Sequence, residues 1–84
     1  MFSFDFPDAK EVYLGGDFNE WNIKKHPMKR NTKGHWEKIV MLNPGRYEYK
    51  AMVDGKWQLD PNNDWTCMNC YGSHNSIIMV LQRE

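Results

Sequence analysis

At 84 residues the chain has room for one hydrophobic core, so residues 1–84 read as one domain. A make-up of 40% hydrophobic and 26% charged residues excludes a disordered chain, and no run approaches the roughly 18 apolar residues of a membrane span. Eleven basic residues cancel eleven acidic ones, which gives no reason to expect nucleic acid or an anionic membrane as partner and suits a neutral ligand.

Alternation of period two recurs along the chain, with no sustained helical period. Phe2, Phe4 and Phe6 predict a first strand that Pro7 ends. The same segment lacks the basic and apolar regions of a secretory signal, so a cytoplasmic setting is expected. Val12 and Leu14 predict a second strand running into Gly15 and Gly16. His26 and His35 read as surface residues, and Asn31-Thr32-Lys33-Gly34 as a turn. Residues 35–42 predict a strand with Trp36, Val40 and Leu42 inward; Lys38 interrupts that face, which places it near a sheet edge with its stem buried. After the turn Asn43-Pro44-Gly45, the next strand carries Tyr47, Tyr49, Ala51 and Val53 on one face, with Glu48 and Lys50 opposite. Asp54-Gly55 is a two-residue hairpin signal. Asp60-Pro61 opens a loop expected to run to about Asn75, and Ser76 to Leu81 predict the last strand. Six or seven short strands with regular turns imply an antiparallel β-sandwich.

The four tryptophans divide. Trp36 is in phase with a core face. Trp21 lies among loop formers, and Trp57 directly follows the Asp54-Gly55 turn, where a buried ring is less expected. A pyranose offers an apolar C–H face and a rim of hydroxyls; a flat indole covers the first, and amides or charged groups bond the second. Covering such a face contributes on the order of 2 kcal/mol per platform. From composition alone, Trp21 and Trp57 either stack on sugar or close the ends of the sandwich. Nothing around Trp65 fixes its direction, so it reads as a cover.

Four stretches together resemble one family. They are residues 11–22 (EVYLGGDFNEWN), 43–50 (NPGRYEYK), 53–57 (VDGKW, followed by Asp60-Pro61) and 71–78 (YGSHNSII). They are similar to family-48 carbohydrate-binding modules, found at the front of isoamylases and branching enzymes, and closely to the glycogen-binding domain of the AMP-activated protein kinase β subunit. The resemblance implies an all-β, immunoglobulin-like antiparallel sandwich of the early-set type. It also implies a non-catalytic module that binds α-glucan polysaccharide or maltooligosaccharide and targets a glycogen-metabolising enzyme or a kinase partner to it. Trp21 and Trp57 match the family's stacking tryptophans, Lys50 its sugar-binding lysine and Asn75 its hydroxyl-binding asparagine. Ser73 stands where the kinase domain has threonine. Tyr71 replaces a leucine that enters the concave side of the glucan turn. Without the resemblance, Lys50 is an ordinary strand lysine and Asn75 a turn amide.

Other chemistries are less well supplied. Paired carboxylates for glycoside hydrolysis would have to come from Asp54, Asp60 and Asp64, and turn chemistry already accounts for the first two. Cys67 and Cys70 form one Cys-x-x-Cys without the helix start that lowers a thiol's pKa, and with His35 and His74 the spacing matches no common zinc site. No metal or other cofactor is expected. A protein-docking module without sugar binding is the alternative function.

Overall fold

The computed structural model describes residues 2–69 and 72–81; Cys70 and Tyr71 lie outside them. Eight strands form among the described residues: β1 (Phe2–Phe4), β2 (Val12–Gly16), β3 (Lys29–Arg30), β4 (Trp36–Lys38), β5 (Gly45–Val53), β6 (Lys56–Gln58), β7 (Thr66–Met68) and β8 (His74–Val80). Two single helical turns, Asp17–Asn19 and Ile23–Lys25, sit between β2 and β3.

Strand β5 organises the larger sheet. One edge pairs with β2 from Gly16↔Tyr49 to Val12↔Val53. Its other edge is divided, with β8 along residues 45–49 and β6 along residues 51–53. β7 then adds to β8, giving the order β2-β5-β8-β7 with β6 attached to β5. The smaller sheet runs β1-β4-β3. Every pairing is antiparallel.

The sheets meet through alternate side chains, as period two requires. Phe2 and Phe4 of β1 and Trp36 of β4 face Val12, Leu14, Tyr49 and Ala51 of the larger sheet in one buried cluster. The Phe4 ring stacks parallel to Tyr49 at 6.1 Å, joining the two layers directly. Trp36 is a core residue, 7% exposed, and its indole N–H donates to the Phe6 carbonyl at 3.1 Å. The fold is the all-β antiparallel sandwich expected.

Several details differ from the sequence reading. β4 stops at Lys38, and residues 39–43 continue outside the strands, although Val40 and Leu42 still pack on the core. Lys38 ends the central strand of its sheet and is not on an edge strand. The long loop after Asp60 contains β7, and the last strand begins at His74. The hairpin at Asp54-Gly55 holds: φ of 48° and 86° at these residues fits the type I′ turn, and Val53 pairs with Lys56 across it. The Asp54 carboxylate also accepts the N–H groups of Lys10 and Glu11, fastening the turn to the start of β2.

Candidate functional site

The outward face of the larger sheet carries the residues that the inward face leaves over. On β5 these are Arg46, Glu48, Lys50 and Met52. Over this face lies an open groove of about 710 Å³. Trp21 and Trp57 line it on one side, and Ser73, Asn75, Asn69 and Met68 on the other, with Asp17, Glu48 and Lys50 between.

Trp57 reaches the groove because the two-residue hairpin folds β6 back on β5, opposite Met52. Its indole lies against Gly15. A Cβ there would stand 2.9 Å from the Trp57 ring, closer than carbon atoms pack, so glycine is what lets the ring settle on the strand. The ring remains 42% exposed. Gly16 answers a different demand, since a Cβ there would meet the Glu48 carbonyl at 2.7 Å and the Phe18 ring.

Trp21 is placed by strained backbone. Glu20 and Trp21 are both left-handed, with φ of 56° and 60°. Each such residue costs about 1–2 kcal/mol when it is not glycine. Local hydrogen bonds hold the strain. Trp21 N–H donates to Gly16 O at 2.9 Å, and Asn22 N–H to Asn19 O at 3.0 Å. The buried Asn19 amide accepts from Gly16 N–H at 3.0 Å and donates to Leu14 O at 2.9 Å. It also meets His26 Nδ1 at 2.8 Å. Since Asn19 Nδ2 can only donate, His26 Nδ1 accepts, and the ring is a neutral Nε2–H tautomer. Burial, with Lys38 and Lys25 nearby, pushes the His26 pKa down, favouring that form. His26 is therefore a working part of the loop rather than a surface residue. The Trp21 indole N–H donates to Asp17 Oδ1 at 3.3 Å, while Asp17 Oδ2 accepts from Glu48 N–H at 2.9 Å. The two indoles meet edge to face, 5.9 Å between centres and 76° between planes.

The polar floor is one hydrogen-bonded chain. Lys50 Nζ donates to Ser73 Oγ at 3.2 Å, which also accepts from Asn69 Nδ2 at 2.9 Å. Asn69 Nδ2 donates to Asn75 Oδ1 at 3.1 Å, and Asn75 Nδ2 to Glu48 Oε1 at 3.1 Å. Cys67 Sγ donates to the same Glu48 oxygen at 3.0 Å, and Arg46 to the other at 3.2 Å. The Cys67 and Asn75 donors hold the Glu48 carboxyl below its ordinary range despite desolvation, and the carboxylate in turn pushes the Cys67 thiol up. Cys67 is thus a protonated hydrogen-bond donor at neutral pH, not a thiolate nucleophile. Asn75, only 6% exposed, has its amide orientation fixed from both ends by Asn69 and Glu48.

Of the residues singled out from the sequence, Trp21, Lys50, Trp57, Ser73 and Asn75 come together here. Tyr71 lies outside the described residues. Glu48, Asp17, Asn69 and Gly15 were not singled out for the site. Glu48 was within reach, because it shares its strand face with Lys50. The others depend on contacts across the chain that no local pattern carries.

A small β-sandwich with an open, indole-flanked and amide-floored groove on one sheet face belongs to the class of surface-binding modules. The chain is a member of the family described as the glycogen recognition site of AMP-activated protein kinase, whose model matches residues 1–84. It is 39% identical over 76 residues to 5'-AMP-activated protein kinase subunit beta-1 of Rattus norvegicus, covering 90% of this chain and 27% of that protein. It is 38% identical over 72 residues to Protein FLOURY ENDOSPERM 6, chloroplastic, of Oryza sativa subsp. japonica, covering 86% of this chain and 13% of that protein. It is 42% identical over 53 residues to Protein PTST homolog 2, chloroplastic, of Arabidopsis thaliana, covering 63% of this chain and 10% of that protein. The chain therefore spans about a quarter or less of these relatives' length.

Proposed function

We propose that the module binds α-1,4-linked glucans without catalysis, stacking glucose rings on Trp21 and Trp57 and bonding their hydroxyls with Lys50, Asn75 and Ser73. The observation that carries this reading is the pair of indoles at 76° on one groove beside a polar floor. Rings at such an angle cannot both lie flat under a straight, ribbon-like chain. They suit the turning path of an α-linked glucan, which presents successive sugar faces at changing angles. Two platforms of about 2 kcal/mol each, with hydroxyl bonds that compete with water, correspond to micromolar to millimolar affinity.

The consequence is targeting. The module holds a glucan beside a catalytic partner, on the same polypeptide or another, and so raises local concentration. Kinase subunits among the relatives support a kinase assembly as one such partner, and a glycogen-metabolising enzyme is the other. We place it in the cytoplasm, which keeps thiols such as Cys67 reduced; relatives named chloroplastic mark a second compartment for the family.

Calorimetric titration with maltoheptaose tests the reading. The wild type should bind in the stated range, and Trp57→Ala should remove most of the heat while the fold persists. Binding unaffected by Trp57→Ala would overturn it. A pure docking module would instead use another surface. The exposed Ile39 and Met41, on the unpaired stretch after β4, supply one, and glucan would then give no heat at all.

A further inference from the structure

The groove ends at Met68, Asn69 and Asn75, yet the sheet face continues beyond it to a third large ring. Trp65 is 49% exposed, more than Trp57. Its position is fixed by hydrogen bonding rather than left to chance. The ladder between β7 and β8 runs Met68↔His74, Cys67↔Asn75 and Thr66↔Ser76, so Trp65 falls opposite Ile77. Ile77 N–H donates to Trp65 O at 2.9 Å, as the ladder requires. The reciprocal bond is replaced by a side chain. Asn63 Oδ1 accepts from Trp65 N–H at 3.0 Å, and Asn63 Nδ2 donates to Ile77 O at 2.8 Å, so the amide fills the place of a ladder bond. The same Nδ2 donates to the Tyr49 hydroxyl at 3.0 Å, tying this junction to the core.

Alternation then assigns the face. Cys67 and Asn75 both bond Glu48 from the outward side of the sheet. Trp65 is two residues from Cys67, so it shares that side. Its ladder partner Ile77 is 3% exposed although it too points outward, paired with Glu48 on β5. A large neighbour must cover it, and the indole in the adjacent row is placed to do so. Arg46 lies two residues along β5 from Glu48 on the same face. It bonds that carboxylate and the Cys67 sulfur, and a guanidinium has five N–H groups.

We propose that Trp65, with Arg46 beside it, forms a separate stacking subsite that takes the same α-glucan chain as it leaves the groove. This rests on the glucan reading of the groove. Trp57 stands on β6 opposite Met52, and Trp65 directly before β7, opposite Ile77 in the row of Glu48, four residues along β5 and one strand further out. Four residue rises and one strand spacing come to about 14 Å, the span of a short oligosaccharide rather than of one ring. The subsite therefore makes affinity depend on chain length. A glucan that fills only the groove does not reach Trp65; a longer one does.

A length series separates the possibilities. Maltotriose, maltoheptaose and a longer linear maltodextrin are titrated into wild type, Trp65→Ala and Trp65→Tyr, each checked for its fold by thermal melting. Trp65→Ala should weaken the longest ligand by about thirtyfold and leave maltotriose unchanged, with Trp65→Tyr recovering part of the loss. Equal affinities for wild type and Trp65→Ala at every length would overturn the subsite while leaving the groove reading intact. So would a uniform loss at every length, which would make Trp65 a structural support. Failure of the wild type to bind any of the three would remove the groove reading and the subsite with it.

Discussion

Gly15→Ala is the most exacting test of how the site is built, because it removes no group proposed to touch the ligand. The added methyl would stand 2.9 Å from one carbon of the Trp57 indole and 3.0 Å from another, with an Ile23 methyl carbon at 3.3 Å. Unbonded carbons rest at about 3.5–4.0 Å, so the ring must lift by about 0.6–1 Å. The clashing atoms are the outer edge of an exposed side chain, so they can move. The packing cost should fall near the low end for an overfilled site, about 1 kcal/mol. Alanine also lowers the entropy of the unfolded chain by about 0.4–1 kcal/mol, which offsets most of that cost. Net stability should therefore change little. Ligand contact should not be spared, since a lifted and tilted indole no longer presents its face beside Trp21. Losing much of one platform corresponds to about tenfold weaker binding of maltoheptaose. Calorimetric titration measures the binding and a urea titration the stability. Binding retained within twofold in a stably folded Gly15→Ala variant would refute the seat argument. A loss of several kcal/mol in stability would refute the claim that the ring can yield.

Three further outcomes follow from the same structure. His26 has its pKa lowered below 6.5, so the unfolded chain takes up a proton first; stability should be full above that pH and fall as pH drops through 6.5 toward the folded-state value, with His26→Gln flattening the curve in pH-dependent melts. Glu20→Gly relieves a left-handed glutamate and should stabilise by about 1 kcal/mol, raising Tm by about 4–8 °C, with glucan affinity unchanged by calorimetry. Tyr49→Phe deprives Asp60 Oδ2 of a donor at 2.7 Å and Asn63 Nδ2 of an acceptor at 3.0 Å, and should cost about 1–3 kcal/mol by urea unfolding at unchanged m-value.

What the sequence disclosed is what local chemistry determines. The Asp54-Gly55 turn needs positive φ at both residues, and few other dipeptides supply it. The alternation from Tyr47 to Val53 predicts both the core face and the outward Lys50. Trp36 follows its strand's phase into the core. The remainder rests on contacts distant in sequence. Gly15 reads as a turn former until Trp57 is seen lying on it, 42 residues later. β7 hid in a loop because Thr66-Cys67-Met68 is too short to alternate convincingly and, among the described residues, pairs only with β8. Asn63 falls in the loop expected after Asp60-Pro61, yet its amide stands in for a ladder bond and gives Trp65 a direction that its neighbours in sequence do not. His26 betrays nothing by its context, since its role comes from an asparagine seven residues back that has one N–H left to place.

The way these parts are tied also decides what kind of binding the module can offer. Ordering a floppy loop or a long side chain on binding costs about 0.5–1.5 kcal/mol for each one immobilised. Here that cost is met largely during folding: Asn19 and Asp17 hold the Trp21 loop, Gly15 seats Trp57, and Asn69 and Glu48 set the Asn75 amide. A groove so prepared, yet open to water along its length, loses hydroxyl bonds to solvent as readily as it makes them. Affinity for one short chain then stays modest, however well the site is preformed. On the proposed glucan reading, gains would come from contacting more of the same polymer, either by extending the path toward Trp65 or by rebinding along neighbouring branches of one particle. For the proposed glucan ligand, with its many equivalent chain ends, a shallow and preorganised groove would keep release fast while holding the proposed partner close.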